Sequence, residues 1–204
     1  MALSIEGFAI VSRDGMLAGA DGLMPNSLKF EMDQEFLDRS LDAAALLVHG
    51  CKSHEAQPNS CNRRRLLLSR SCGPFSTIPA ERNTWLWCPK QTPFAEVAEA
   101  LGIESGVVAV LGGTAAYDLF LPRYAAFHLC RAGKVRLPGG VPVFSAVRAD
   151  NPPENVLGDA GLRVVEQTTL DPAHELSHQR WARPSARAFS YCRASDAAGA
   201  TTGR

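Results

Sequence analysis

The chain has 204 residues, of which 46% are hydrophobic and 21% are charged, and this composition is typical of one globular domain with extensions. It excludes a wholly disordered chain, a collagen-like fibre and a coiled coil. Basic and acidic residues each number 21, so the net charge is zero and we expect no nucleic-acid partner. No apolar run approaches the ~20 residues of a membrane span, so we expect no membrane partner.

Cysteine usage and the N-terminus indicate a compartment. The six cysteines form no C-x-x-C pair and lie at positions 51, 61, 72, 88, 130 and 192. A chain of this length needs no disulfides for stability, so we expect free thiols in the cytoplasm, a reducing compartment. Residues 1–11 include Glu6 and lack a basic start and a small-residue cleavage site, so we expect no signal peptide.

Short apolar runs predict the strands of the first half of the chain. They lie within residues 4–11, 42–50, 64–70, 83–88 and 106–111. Apolar runs without alternation are typical of strands that are buried on both faces of a parallel sheet.

Helical patterns alternate with these strands. The longest covers residues 27–41; the next has Thr92 as N-cap and Pro93 at the first helical position; the third covers residues 114–121 and ends before Pro122. This alternation predicts an α/β fold, a three-layer sandwich whose mostly parallel sheet has helices on both sides.

The last third of the chain reads as extended segments followed by a tail. Extended structure is predicted at residues 124–130, 142–147, 162–169 and 177–183. The sequence after Pro184 ends in small and polar residues. We therefore predict one domain over residues 1–183 and an extension over residues 184–204, disordered from about residue 194.

Three predicted strand ends carry residues suited to binding phosphate. Gly112-Gly113 lies between a strand and a helix, where backbone N–H groups can face an anion. Gly50, followed by Lys52 and Ser53, ends another strand, and Ser69-Arg70 ends a third. Ligands of open α/β sheets bind at such strand ends. A glycine pair is also typical of a tight turn without a ligand, and Arg70 of a solvated charge.

The order of the motifs resembles dihydrofolate reductase and its relatives over residues 4–183. In this chain the corresponding blocks read FAIVSRDGMLAGADGLMP, GCKS, LLLSRS, GGTAAYDLFLP, FHLCR and VPVFS. The most specific block is GGTAAYDLFLP, which matches its family pattern without a gap. The resemblance implies an NADPH-dependent reductase with about eight strands in its sheet, active as a monomer or a homodimer.

The resemblance also implies roles for individual residues. Ile10, Leu17 and Tyr117 would lie beside the nicotinamide. Substrate would contact Met24, Phe36 and Cys130, near an acid on the first helix. The cofactor's phosphates would be held by Gly50, Cys51, Lys52, Ser53, Ser69, Arg70, Gly112, Gly113, Thr114 and Ala115.

Several positions depart from the family pattern. Asn26 replaces the usual Trp, Cys51 the phosphate-binding Arg, and Cys130 the Thr that supports the substrate acid. These changes affect the pterin pocket more than the cofactor cleft, so three functions stay open. They are hydride transfer to a pterin-type C=N bond, reduction of a ribosylamino-pyrimidine as in the riboflavin pathway, and cofactor binding without turnover.

Helix geometry favours Asp33 as the substrate acid. At about 100° per residue, Asp33 lies about 140° from Leu28, inside the apolar arc of the predicted helix. Glu31 falls on the solvated side, although its spacing from Pro25 also allows it the catalytic role. A buried carboxyl has the raised pKa that a proton-handling group requires. The alternative for Asp33 is a surface pair with Lys29.

A competing motif is H-E-x-x-H, which residues 174–178 match as HELSH. On a helix, this spacing would place His174 and His178 on one face to hold zinc, with Glu175 as a base, as in a zinc hydrolase. The residues from Ser177 onward read as extended, however. The sequence therefore favours a loop that leads into the final strand, and we expect no metal.

Overall fold

The computed structural model describes residues 2–51, 59–70, 73, 75–78 and 81–184. Its strands are β1 Leu3–Ser12, β2 Met16–Ala18, β3 Leu46–Gly50, β4 Arg65–Leu68, β5 Phe75–Thr77, β6 Thr84–Trp87, β7 Gly106–Gly112, β8 Ala126–Ala132, β9 Val141–Pro142, β10 Arg163–Asp171 and β11 Leu176–Ala182. The α-helices are α1 Glu31–Asp42, α2 Phe94–Ala100, α3 Thr114–Phe120 and α4 Pro153–Asp159, and short 3-10 helices cover Asn26–Leu28, Ser60–Asn62 and Leu121–Arg123. None of the helices in these ranges is long and apolar enough to cross a membrane.

One sheet organises the fold. Across the described residues it has nine strands, in the order β10-β11-β8-β1-β7-β3-β4-β6-β5. The strands from β8 to β6 in this order are parallel, while β5 and the β10–β11 hairpin add antiparallel pairs at the two edges. The predicted mostly parallel α/β fold is confirmed. Strands β2 and β9 form a separate small sheet.

Helices cover both faces of the sheet because its central strands are apolar on both sides. On one face, Leu47 and Ala109 are buried against α1. On the other, Val48 and Val110 join a larger cluster with apolar residues of α2, α3 and α4. Alternate residues of one strand point to opposite faces, so an unbroken apolar run serves both layers.

The first two helices begin later than the sequence predicts. Lys29 and Phe30 are extended, so α1 begins at Glu31 rather than at residue 27. The 3-10 helix before them directs Leu28 into a buried cluster, and the chain must then turn before α1 can start. Thr92 does not cap α2, since the N-cap is Pro93 and the Thr92 carbonyl accepts a hydrogen bond from the Trp87 indole at 2.8 Å.

The segment at residues 142–147 is mostly not a strand, which corrects the sequence prediction. Only Val141 and Pro142 pair, with β2, and the chain then inserts the fully buried Val143 and Phe144 into the core. Helix α4 has no counterpart in the predicted elements. It begins after Pro152 and buries Val156 and Leu157. The predicted disordered tail from residue 194 lies outside the described residues.

Gly7→Ala tests the packing at the centre of the sheet. A Cβ at Gly7 would lie 2.3 Å from the buried ring of Phe127, so either the ring or the strand must move. We expect the free energy of unfolding to fall by about 1–3 kcal/mol, as in other overpacked cores. Chemical denaturation measures it. The matched control is Gly73→Ala, at an exposed position where a Cβ would meet no atom of the described residues within 4 Å. Equal losses in both variants would contradict this packing.

Candidate active site

The predicted phosphate-binding turns lie side by side at the carboxyl ends of the central parallel strands. Gly50 ends β3 opposite Leu68, the last residue of β4, and His49 lies opposite Gly112 at the end of β7. The carboxyl ends of these parallel strands therefore bring Gly50, Ser69 and Gly112 to the same edge. Lys52 and Ser53, which belong to the same prediction, lie outside the described residues.

The turn between β7 and α3 requires glycine at its first position. Gly112 has φ +96°, and a Cβ there would lie 2.6 Å from the ring of Tyr117. The peptide bond between Gly112 and Gly113 is cis. A Cβ at Gly113 would meet no atom of the described residues within 4 Å. The described part of the chain therefore leaves the backbone at the start of α3 uncovered on that side.

Two side chains near this turn have partners within the protein. The Tyr117 hydroxyl donates a hydrogen bond to the carbonyl of Phe8, and the Thr114 hydroxyl donates one to the carbonyl of Pro142. Tyr117 is fully buried and Ala115 is exposed. Thr114 and Ala115 can thus offer a ligand their backbone groups, while the hydroxyls secure α3 to β1 and β9.

The neighbouring strand ends present a thiol and a cation. Cys51 is exposed, and its thiol donates to the Leu68 carbonyl at 2.7 Å. The backbone N–H of Ser69 donates to the Trp87 carbonyl at 2.9 Å, which extends the pairing of β4 with β6 by one residue. Arg70 follows Ser69 and is exposed. Its guanidinium is the charged group that the prediction assigned to a cofactor phosphate.

Asp33 is the buried acid of this region. Only 8% of the residue is exposed, and its carboxylate accepts a hydrogen bond from the Cys130 thiol. Burial raises the pKa of Asp33, and the bond from Cys130 opposes that rise in part. Burial, and then the charge of Asp33, raise the pKa of Cys130 well above its usual value, so the thiol stays protonated as a donor.

Apolar groups surround this acid–thiol pair. Cys130 packs in a buried cluster with Ile10 and Leu28, and Phe30 lies against the same cluster. The charge of Asp33 contributes, after burial, to the raised pKa of Tyr117. The predicted nicotinamide contacts Ile10 and Tyr117 thus lie in the same region as Asp33.

The remaining predicted residues lie in different surroundings. Glu31 is the exposed first residue of α1, and Met24, in the loop after β2, is 45% exposed. Leu17 is partly buried against the main core. The Phe36 ring packs against those of Phe8, His128 and His178. The structure therefore brings Phe36 to a histidine cluster beneath α1.

The H-E-x-x-H motif does not lie on a helix. It covers the turn and the first residues of β11 in the β10–β11 hairpin, and Glu175 has φ +52°. His174 Nδ1 lies 2.6 Å from Asp171 Oδ2 in the turn, whereas His178 Nε2 lies 3.1 Å from His128 Nδ1 on the sheet. The two histidines therefore do not share the helical face on which the zinc-hydrolase interpretation depends.

Sequence analysis did not predict two groups of polar side chains that lie away from the carboxyl ends of the central strands. Glu6, His128 and His178 form a hydrogen-bonded row on the sheet, with 3.3 Å between Glu6 Oε2 and His128 Nε2. A cavity of about 720 Å³ lies at the opposite edge, beside the buried Arg63, whose guanidinium pairs with Asp42. Their sequence separations are too large for a local pattern to reveal them.

Comparison with known proteins finds likeness in structure alone. No protein-family model and no curated protein matches the sequence. Solved structures do match. A protein from Shewanella sp. PV-4 provisionally assigned to riboflavin biosynthesis is 18% identical at a TM-score of 0.64, with 89% of this chain and 99% of that chain covered.

Two further structures broaden this likeness. A pyrimidine reductase-like protein from Corynebacterium diphtheriae is 15% identical at a TM-score of 0.61, covering 89% of this chain and 92% of that one. Dihydrofolate reductase from Enterococcus faecalis, in complex with NADP(H) and RAB-propyl, is 12% identical at a TM-score of 0.56, covering 89% and 97%. Together with the strand order, these matches show that the chain has the dihydrofolate reductase-like fold.

Proposed function

We propose that this chain is an NADPH-dependent reductase that transfers hydride to a pterin-type C=N bond or, as the alternative, reduces a ribosylamino-pyrimidine as in the riboflavin pathway. The observation that carries the proposal is Asp33, a buried carboxyl that is hydrogen-bonded to Cys130 in the same region as Ile10 and Tyr117. A buried carboxyl in apolar surroundings is unfavourable for stability, and such groups cluster at functional sites. The reductases of this fold support the same reading.

The residues at the carboxyl edge of the sheet fit a dinucleotide. A Cβ at Gly113 would meet no described atom within 4 Å, and Gly112 adds no side chain beside it. Here the backbone of Thr114 and Ala115 would hold the pyrophosphate, and Gly50, Cys51, Ser69 and Arg70 the remaining phosphates. Ile10, Leu17 and Tyr117 would flank the nicotinamide, which supplies the hydride when bound.

Asp33 would bind and orient the substrate ring. A carboxylate can accept two parallel hydrogen bonds from the N–C–N edge of a 2-amino-4-oxopyrimidine ring, the edge that pterins share. Reduction of C=N needs a proton at nitrogen as well as a hydride at carbon. The raised pKa of Asp33 keeps a proton available at a higher pH than an exposed aspartate would. Cys130, which donates to the carboxylate, fixes its orientation.

Two substrates satisfy this arrangement. Dihydrofolate carries the 2-amino-4-oxo edge, and so does a ribosylamino-pyrimidine that retains its 2-amino group. The higher TM-scores of the pyrimidine-type and riboflavin-type structures favour the ribosylamino compound as the second candidate. Cofactor binding without turnover is the third candidate.

NADPH oxidation tests the proposal directly. The full chain is mixed with NADPH and either dihydrofolate or the 2-amino ribosylamino-pyrimidine, and absorbance at the nicotinamide band is followed. Substrate-dependent oxidation supports a reductase, and the faster substrate identifies its class. Tight NADPH binding, measured by fluorescence, without NADPH oxidation in either mixture would support a protein that binds the cofactor without turnover. Failure to bind NADPH would contradict the proposal.

Asp33→Asn separates activity from stability. We expect kcat/KM to fall by about 100-fold or more, because the variant loses the charge that pairs with the ring and the proton it handles. The free energy of unfolding should rise in this variant. The folded state holds the Asp33 proton more tightly, so this carboxyl destabilises the native chain increasingly as pH rises from the unfolded value of 3.8 through the raised folded value. Asn does not ionise, so the free energy of unfolding of Asp33→Asn should exceed that of the unsubstituted chain by an amount that increases over this pH range. Chemical denaturation at several pH values measures this difference.

Glu31→Gln is the matched control for the acid. Glu31 lies two residues away on the same helix but is exposed. We expect activity and the pH dependence of unfolding to stay close to those of the unsubstituted chain. If Glu31→Gln loses activity and Asp33→Asn keeps it, the catalytic assignment belongs to Glu31.

Arg70→Gln tests the preference for NADPH. A hydrogen bond between a guanidinium and a phosphate contributes about 1.5–3 kcal/mol, so NADPH affinity should fall by roughly 10-fold to 100-fold while NADH affinity stays unchanged. Fluorescence titration with each cofactor measures both. Arg82→Gln, at an exposed arginine before β6, is the control. An equal loss of affinity for NADPH and NADH would show that Arg70 does not bind the 2′-phosphate.

A further inference from the structure

Three titratable side chains form a row on one face of the sheet. Glu6 Oε2 lies 3.3 Å from His128 Nε2, and His128 Nδ1 lies 3.1 Å from His178 Nε2. The two imidazole rings are nearly parallel, with 5.4 Å between their centroids. These residues belong to β1, β8 and β11, which are neighbours in the sheet. The row therefore links three strands through side chains as well as through their backbones.

Helix α1 packs on this row through Phe36. The centroid of the Phe36 ring lies 5.4 Å from that of His128 and 4.9 Å from that of His178. Asp33 lies about one turn earlier on the same helix. Its partner Cys130 lies directly opposite His178 in the pairing of β8 with β11. The row is therefore in contact with the helix that carries the buried acid.

Hydrogen-bonding chemistry determines where the protons of the row lie. A carboxylate only accepts, so His128 Nε2 carries the proton that is donated to Glu6. In a neutral imidazole the other nitrogen is then an acceptor, so His128 Nδ1 accepts from a protonated His178 Nε2. In this neutral form, each contact of the row pairs one donor with one acceptor.

One added proton leaves these hydrogen bonds intact. When it binds at Nδ1 of His178, the proton on His178 Nε2 can pass to His128 Nδ1. His128 is then an imidazolium that donates to both Glu6 and His178, and His178 is neutral with an accepting Nε2. A second added proton would place two N–H groups against each other 3.1 Å apart. The row can therefore hold one added proton but not two.

We propose that the Glu6–His128–His178 row is an acid-sensitive contact between α1 and the sheet, which persists while it holds one added proton or none and which a second proton breaks. Two histidines that interact this closely take up their protons in two coupled steps. Histidine is also the side chain that ordinarily changes its charge between about pH 5 and pH 8. This contact would govern the attachment of α1 whatever reaction the chain catalyses.

The charges around the row agree with this behaviour. Burial, and then the charge of His128, lower the pKa of His178 below its ordinary value of 6.5. Glu166 on β10 opposes this shift, and Arg180 on β11 adds to it. On β1, the hydrogen bond with His128 lowers the pKa of Glu6 below 4.5, so this carboxylate stays ionised above that pH. From α1, an uncharged ring lies against both histidines.

Nitrogen-15 NMR of the imidazole rings in the full chain tests the proton positions. At about pH 8 we expect both rings to be neutral with the proton on Nε2. In the first step of acidification, His128 should become an imidazolium while His178 stays neutral and carries its proton on Nδ1. Two rings that both become imidazolium in a folded chain overturn the proposal, and so do two rings that keep their neutral form until the chain unfolds.

His178→Gln separates the hydrogen bond from the ionisation. The Gln amide can donate to His128 Nδ1, or accept from it once His128 is charged, but it does not ionise. A histidine whose folded pKa is lowered reduces the free energy of unfolding as pH falls from 6.5 through the folded value. Between about pH 8 and about pH 5, the denaturant midpoint should therefore fall less in His178→Gln than in the unsubstituted chain. Equal falls overturn the proposal.

Each chain is compared with itself at two pH values, so a constant loss of stability in a variant does not affect the result. The matched control is His174→Gln, because His174 lies in the turn of the same hairpin but pairs with Asp171. We expect this control to retain the fall in midpoint. If His174→Gln abolishes the fall and His178→Gln retains it, the acid sensitivity belongs to the turn and the proposal is overturned.

Hydrogen exchange tests the attachment of α1. After correction for the direct effect of pH on exchange, the amides of residues 31–42 should exchange roughly 10-fold faster at about pH 5 than at about pH 8, the effect of one added proton-binding step that the folded state disfavours. The same segment should keep its protection in His178→Gln. Protection of α1 that does not change with pH in the unsubstituted chain overturns the proposal.

Discussion

The close approach of Tyr117 to Gly112 is the contact on which the candidate site depends. Because Gly112 has no side chain and has a positive φ, the Tyr117 ring can lie against the end of β7 while its hydroxyl reaches the Phe8 carbonyl in β1. The start of α3 is thereby tied to the two central strands. Any larger residue at 112 would displace the ring, since even a Cβ there would lie 2.6 Å from it. The parallel sheet then aligns the ends of β3 and β4 along the same edge.

Under the proposed function, Asp33 would favour catalysis at a cost in stability. A carboxyl with raised pKa destabilises the folded chain at neutral pH, and replacing it by an uncharged residue relieves that effect. The surrounding structure compensates through Cys130, whose neutral thiol supplies one hydrogen bond, and through the apolar cluster of Ile10 and Leu28. A position that is unfavourable for folding but chemically useful is what a substrate-binding acid requires.

Much of the fold could be predicted from the sequence, because the central strands are continuous apolar runs that end in glycine or polar residues. Helical periodicity also distinguished Asp33 from Glu31, since the apolar arc of a helix indicates which side faces a core. Errors arose where tertiary contacts override local preference. Because Leu28 packs in a buried cluster, α1 begins later in the chain than predicted. Because Val143 and Phe144 are buried in the core, the strand predicted at residues 142–147 does not form over most of its length.

The sequence alone therefore determined the class of fold, the order of the central strands and of the first three α-helices, and the turns at which those strands end, because these follow from local periodicity and turn chemistry. Only the tertiary structure decided which of these residues meet. It placed Asp33 beside Cys130, the HELSH motif in the turn and second strand of the β10–β11 hairpin, and β10 as the outermost strand of the sheet. Such outcomes depend on contacts between residues as far apart as Asp33 and Cys130, and local sequence patterns do not encode strand neighbours or burial at that range.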